Sequence, residues 1–134
     1  MPARRVKVRV CTESAGCVIA ELTDELSPRT FEELVKSLPI ESVGYRWGDE
    51  LYFSTPARVG EENPREVVDK GAVAYWPPGR ALCLFWGPTP ASRGPGEIRP
   101  ASPVNLLGKV LGNVEVLSRV RSGERVRVEL ARSA

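Results

Sequence analysis

The chain has 134 residues, 42% of them hydrophobic and 27% charged, with 19 basic against 17 acidic side chains for a formal net charge of +2. That length makes one domain, residues 1–134, able to bury about two thirds of its unfolded surface. The longest apolar runs are too short to span a bilayer, and so small a net charge implies no obligate polyanion partner.

Histidine is absent, which excludes Ser/His/Asp and Cys/His nucleophilic pairs and His-ligated zinc. The three cysteines have no C-x-x-C spacing and are too few for a thiolate zinc site, so no metal or cofactor is expected. Glutamine is also absent and the only methionine is the initiator, a bias that fits a thermophilic source. Met1 to Arg5 carries charge, but Val6 to Val10 alternates apolar with basic residues and offers no leader-like apolar stretch; a cytoplasmic location is the expectation.

In chain order, Val6, Val8 and Val10 alternate with Arg5, Lys7 and Arg9 at the period of a half-buried strand, and Cys17 to Leu22 is its partner after a turn at Glu13–Gly16. Cys11 and Cys17 then face each other across a hairpin, either as a disulfide or as two small buried hydrophobes. Ser27 suits a helix N-cap and Pro28 a first turn, and Phe31, Leu34, Val35 and Leu38 follow at helical spacing up to Pro39.

From Ser42 to Pro56 the pattern is extended, with Trp47, Asp49, Leu51 and Phe53 on one face, Glu50, Tyr52 and Ser54 on the other, and a bend invited by Gly48. Glu62 to Val68 offers one helical turn. The run from Gly71 to Pro90, G-A-V-A-Y-W-P-P-G-R-A-L-C-L-F-W-G-P-T-P, holds two of the three tryptophans and reads as strand, rigid turn, strand. Pro77 and Pro78 fix the turn and hold Tyr75 and Trp76 at a sheet rim. Trp76 and Trp86 are either a ligand shelf there or the closure of a barrel end.

A Pro, Gly and Ser-rich loop spans Ala91–Ser102, a strand Val104–Val110, a second helix Gly112–Val120 and a closing strand Arg125–Leu130. Many short strands with two helices argue for a closed antiparallel barrel with helices at its ends. Pairing the first and last strands would bring Arg5, Lys7, Arg9, Arg125 and Arg127 into a basic stripe. Glu21, Glu124 and Glu129 lie close enough to neutralise it, so nucleic acid is not the expected partner.

Two segments resemble cyclophilins. Ser27 to Leu34 is similar to their A-P-K-T-V-E-N-F helix start, and Leu107 to Leu117, L-G-K-V-L-G-N-V-E-V-L, to their F-G-K-V-x-E-G-M-x-V-V segment. Between them Gly71–Ala74 stands in place of G-I-L-S, and Leu82–Trp86 in place of S-Q-F-F-I. With its W-G-D-E-L-Y-F-S-T-P run, the chain most resembles a small prokaryotic cyclophilin-like family of unassigned activity. That resemblance implies a mostly β fold, a closed eight-stranded antiparallel barrel with two capping helices and a peptide groove on one outer sheet face.

The catalytic motif is degenerate. In cyclophilins the Arg of F-H-R-V-I-P-G polarises the prolyl amide and lowers a rotation barrier of roughly 20 kcal/mol. Matching on the following Gly places Gly44 there, and Arg46, two residues on, is the substitute that an isomerase would use. Asp49 and Glu50 replace groove apolar residues, Tyr52 a Gln and Val104 a His, while Phe85 keeps a pocket aromatic. Trp76–Gly79 replaces the A-N-A-G substrate shelf and loses its strand-edge donors.

Loss of such a preorganised donor costs about a hundredfold or more. The leading expectation is therefore a binding domain for a peptide or small molecule, its groove lined by Arg46, Glu50, Tyr52, Trp76 and Phe85. In it Arg46 serves a carboxylate or carbonyl, or forms a plain surface ion pair with Glu50, and Glu50 serves a cation or amine. A divergent isomerase using Arg46 is the alternative. Asp49 and Glu50 are adjacent in the extended run and point to opposite faces, so they do not flank one substrate. Cys83 sits in an apolar run where burial leaves a thiol inert.

Overall fold

A computed structural model describes residues 3–131; Met1 and Pro2, part of the leader reading, lie outside the described residues. Eight strands close into an antiparallel barrel: β1 (Arg5–Thr12), β2 (Gly16–Thr23), β3 (Ile40–Arg46), β4 (Glu50–Ser54), β5 (Ala72–Trp76), β6 (Ala81–Phe85), β7 (Asn105–Leu111) and β8 (Glu124–Leu130). Around the ring the order is β1-β2-β7-β5-β6-β4-β3-β8. Closure leaves no sheet edge unpaired.

The period-two pattern sets which residues face inward. Val8, Val10, Ala20, Leu22, Leu51, Phe53, Val73, Tyr75, Leu82, Leu84, Val126 and Val128 form one interior cluster. One barrel end is covered by α1 (Pro28–Lys36), through Phe31 and Leu34. The 3-10 helix Val114–Arg119 supplies Val114 and Leu117 to the same core, and Val120 follows. The second capping helix thus forms where expected, with 3-10 rather than α geometry.

Of the two alternatives for Cys11 and Cys17, opposite each other in the β1–β2 ladder, the disulfide is the one that forms, with Cys11 partly buried and Cys17 exposed. Several local expectations are corrected. Ser27 gives α1 no side-chain cap. Glu62 caps it instead, its carboxylate accepting from the amides of Arg29 (3.0 Å) and Thr30 (2.9 Å) and from the Thr30 hydroxyl (2.8 Å). Residues 62–68 form no helical turn, because Asn63 takes φ +46° and Arg65 pairs with Val104 and Val68 with Ile98 as isolated bridges.

Tyr75 is not at the rim. It is fully buried, and its hydroxyl donates to the Ala57 carbonyl at 2.7 Å. The Ser42–Pro56 stretch is a hairpin, turned at Gly48, whose φ of +63° suits glycine. A Cβ at Gly48 would also lie 2.9 Å from the Thr89 Cα.

β1 pairs with β8, as the basic stripe requires, but carboxylates meet three of its cations. Arg5 meets Glu21 and Glu25, Arg9 meets Glu129, and Arg127 meets Glu41 and Glu129. Glu124 takes no part; it accepts from the backbone amides of Ser14 and Arg121. Among the described residues, no helix is long and apolar enough to cross a membrane.

Candidate functional site

β5 and β6 are apolar at nearly every position because both of their faces are buried. Ala72, Ala74, Ala81, Cys83 and Phe85 point outward into a second apolar cluster, completed by Ile98 and Val104 from the segment that follows β6. That segment folds back over the sheet. The backbone bonds Val68 N–H to Ile98 O (3.0 Å) and Arg65 N–H to Val104 O (2.8 Å) hold its far end, while Asp49 N–H to Pro88 O (3.0 Å) ties its start to the β3–β4 turn.

Where the covering segment meets β4 and β5, a cavity of about 250 Å³ remains open. Trp47, Glu50, Tyr52, Trp76, Pro100, Ala101 and Val104 line it. Trp47 comes from the hairpin turn, Glu50 and Tyr52 from the outward positions of β4, and Trp76 from the end of β5. The Trp76 indole N–H donates to Ser102 Oγ at 2.6 Å, which fixes the ring against the covering segment. Gly79 makes room for it, since a Cβ there would fall 2.7 Å from the indole ring.

Glu50 is only 5% exposed. Among the described residues no N–H or O–H group donates to its carboxyl, and no cation pairs with it. Burial pushes its pKa from the ordinary 4.5 up to about 7, opposed in part by the Cys83 thiol from β6. Cys83 is itself held well above the ordinary thiol value, by burial and then by the nearby Glu50 charge. It is buried, as its place in the apolar run predicts, and the raised pKa disfavours the reactive thiolate.

Glu50, Tyr52 and Trp76 therefore come together. Phe85 and Arg46 do not join them. Phe85 has no exposed surface: Ile98 and Val104 cluster with it on the outer face, so it lies beneath the site and not in its wall.

Arg46 is directly opposite Leu51, and Gly44 opposite Phe53. Opposed residues share a sheet side, and Leu51 and Phe53 face the barrel interior, so Arg46 belongs to the barrel mouth rather than the outer groove. Its guanidinium donates to Gly48 O (2.9 Å), Ser118 O (2.7 Å) and Asp49 Oδ1 (3.3 Å) and stands over the Trp86 ring at 5.2 Å. The carboxylate paired with Arg46 is thus Asp49, not Glu50. Trp86 packs into the interior cluster, as the barrel-closure reading expects, while Trp76 stands in the cavity wall.

Trp47, Pro100 and Ala101 were not expected in the site. A continuous strand would put Trp47 on the face opposite Glu50, and only the hairpin turn brings it round. The continuous apolar character of β5 and β6 is the sequence signal that something covers their outer face.

A closed eight-stranded barrel capped by helices, with a covered cavity on one outer face, defines the class as cyclophilin-like. The family model described as cyclophilin-like matches residues 5–129, and the chain belongs to that family. The solution structure of the hypothetical protein AF2241 from Archaeoglobus fulgidus is similar at 44% sequence identity and a TM-score of 0.84, over 97% of this chain and 98% of that one. No curated protein matches the chain.

Proposed function

We propose that this cyclophilin-like domain is a binding module whose ligand, a small molecule or a single peptide side chain, occupies the cavity between β4, β5 and the covering segment. The observation that carries this reading is a buried Glu50, with no cation and only the weak Cys83 thiol donor beside it, at the wall of an open cavity with three aromatic residues. Buried polar groups are ordinarily hydrogen-bonded, and one left facing an open apolar cavity suits a ligand. At about 250 Å³ the cavity lies just below the usual range for small-molecule sites. It suits one compact group better than an extended peptide.

Isomerase chemistry through Arg46 finds less support. The guanidinium is engaged by three acceptors at the barrel mouth, and reaching a peptide in the groove would break all three.

Amide-shift mapping by NMR with a library of small polar aromatics tests the proposal. Shifts should cluster at Trp47, Glu50, Tyr52, Trp76 and Ala101, vanish in Trp76→Ala and persist in Arg46→Ala. The same samples should leave X-Pro exchange in a short peptide at its uncatalysed rate. Accelerated exchange that is lost in Arg46→Ala would favour the isomerase instead.

A further inference from the structure

Glu50 brings a carboxyl into a cavity otherwise walled by Trp47, Tyr52, Trp76, Pro100, Ala101 and Val104. The position is costly for an anion: the residue is 5% exposed, no arginine, lysine, N–H or O–H group of the described residues answers the carboxyl, and the Cys83 thiol is only a weak donor to it. Two cations near the site are committed elsewhere. Arg46 pairs with Asp49 on the other side of the hairpin, and Arg99 of the covering segment is held by Glu97. A carboxyl whose counter-charge the chain withholds, set among aromatic rings that attract cations, is suited to a positive charge brought by a ligand.

We propose that the cavity is a receptor for an organic ammonium group, with Glu50 as its counter-ion and Trp47, Tyr52 and Trp76 as its aromatic wall. This rests on the binding-module reading above and narrows it to a ligand class. An anionic ligand is disfavoured by Glu50, and a neutral one leaves the carboxyl without a counter-charge. The Trp76 indole N–H is spent on Ser102, so this ring offers a ligand its π surface rather than a donor.

Binding is coupled to a proton. Unliganded Glu50 titrates near 7, so below that pH the ammonium must displace the carboxyl proton into solvent, and above it the carboxylate is ready. The groups that face Glu50 leave this coupling intact. Cys83 on β6 stays a neutral thiol, and β3 offers Tyr45, whose ring stacks toward Tyr52 at 5.8 Å, and Arg46, turned away. β5 offers Trp76, and the covering segment the Arg99–Glu97 pair and Arg93, whose amide also donates to Glu97.

The test compares three probes of one shape, benzylammonium, benzyl alcohol and benzoate, by NMR titration of the Trp47 and Trp76 indole signals. Benzylammonium should bind at least tenfold tighter than the alcohol, and benzoate weakest. Glu50→Gln, which keeps shape and removes charge, should abolish the preference while the remaining spectrum shows the barrel intact.

Lowering the pH from about 8 to about 5.5 should weaken benzylammonium about 30-fold, the loss in ionised fraction of a group titrating near 7. Equal affinity for alcohol and ammonium, a preference that survives Glu50→Gln, or tighter binding at acid pH would each overturn the ammonium assignment and leave the cavity a binding site. Failure of all three probes to shift these signals would instead remove the binding-module reading itself. A lysine blocked at both ends, compared with n-butylammonium, assigns the source: tighter binding of the blocked lysine points to a protein side chain, equal or weaker binding to a free amine, and either supports the ammonium site.

Discussion

At the scale of single residues, Glu50 shows how a site is assembled against stability. Its pKa is about 7 in the folded chain and near the ordinary 4.5 once unfolded. Between those values the folded state holds one more proton than the unfolded state, so stability falls as pH rises through this window. The whole decline amounts to about 3 kcal/mol, a sizeable share of the stability of a small domain. Glu50→Gln should be indistinguishable from the native chain near about pH 4 and more stable by about 3 kcal/mol near about pH 8, with the slope between removed. Urea unfolding across that range measures it, and parallel pH profiles of the two proteins would refute the assignment. On the proposed binding role, this destabilisation is what a bound cation would relieve. Arg46 lies on the opposite side of the same logic. It is a cation whose acceptors are all supplied by the chain, Gly48, Ser118 and Asp49, and it clips the 3-10 helix to the hairpin turn.

Between elements, polar clamps join segments far apart in sequence. Glu62 caps α1 across more than thirty residues, and the fully buried Asn105 on β7 completes the clamp. Asn105 accepts from the Glu62 amide at 2.8 Å and donates to Thr30 Oγ1 (3.1 Å) and Gly60 O (2.9 Å). Burial alone would raise the Glu62 pKa, but the Arg29 and Thr30 amides and the Thr30 hydroxyl outweigh it and hold the carboxyl below its ordinary value. Its contribution is present above the ordinary carboxylate pKa and lost as pH falls through the lowered one. Glu62→Ala should lose about 1–2 kcal/mol at neutral pH, the usual cost of a missing N-cap. The deficit should shrink in acid, where the native carboxyl is protonated too; chemical denaturation at both pH values reads the difference. This clamp was not legible in the sequence. Ser27 holds the N-cap position before Pro28 as local rules expect, but without a side-chain cap, and Glu62-Asn63-Pro64 has the look of a helix start that does not form. The deciding fact is a tertiary approach that neither segment encodes alone. The β1–β2 hairpin and α1 were legible because alternation at Val6, Val8 and Val10, and helical spacing from Phe31 to Leu38, are local properties.

For the whole molecule, one sheet carries two apolar clusters, one inside the barrel and one outside under the covering segment. The sequence shows this as β5 and β6 runs with almost no polar alternation; parity puts Glu50 and Tyr52 on one face, and the resemblance to cyclophilins adds Trp76 to them. Parity fails wherever the chain turns. The Gly48 turn carries Trp47 into the cavity and leaves Arg46 at the barrel mouth, so the cavity lining differs from the groove expected from resemblance at both residues. The two clusters should also respond differently to truncation. Leu84 is fully buried inside the barrel, and Leu84→Ala should cost about 2–5 kcal/mol of global stability. Glu50 should titrate near 7 in that variant as before, because nothing between it and solvent has changed. Ile98 belongs to the cover at 9% exposure, so Ile98→Ala should fall near the low end of that range, about 2 kcal/mol, because a surface site relaxes more easily. Its larger effect should be local: a looser cover admits water to Glu50, weakens the desolvation that raises its pKa and returns the carboxyl toward its ordinary range. Carbon-detected NMR titration of the Glu50 side chain in the two variants separates these effects. A Glu50 pKa that stays near 7 in Ile98→Ala would mean that the walls of the cavity, and not the covering segment, keep the carboxyl dry.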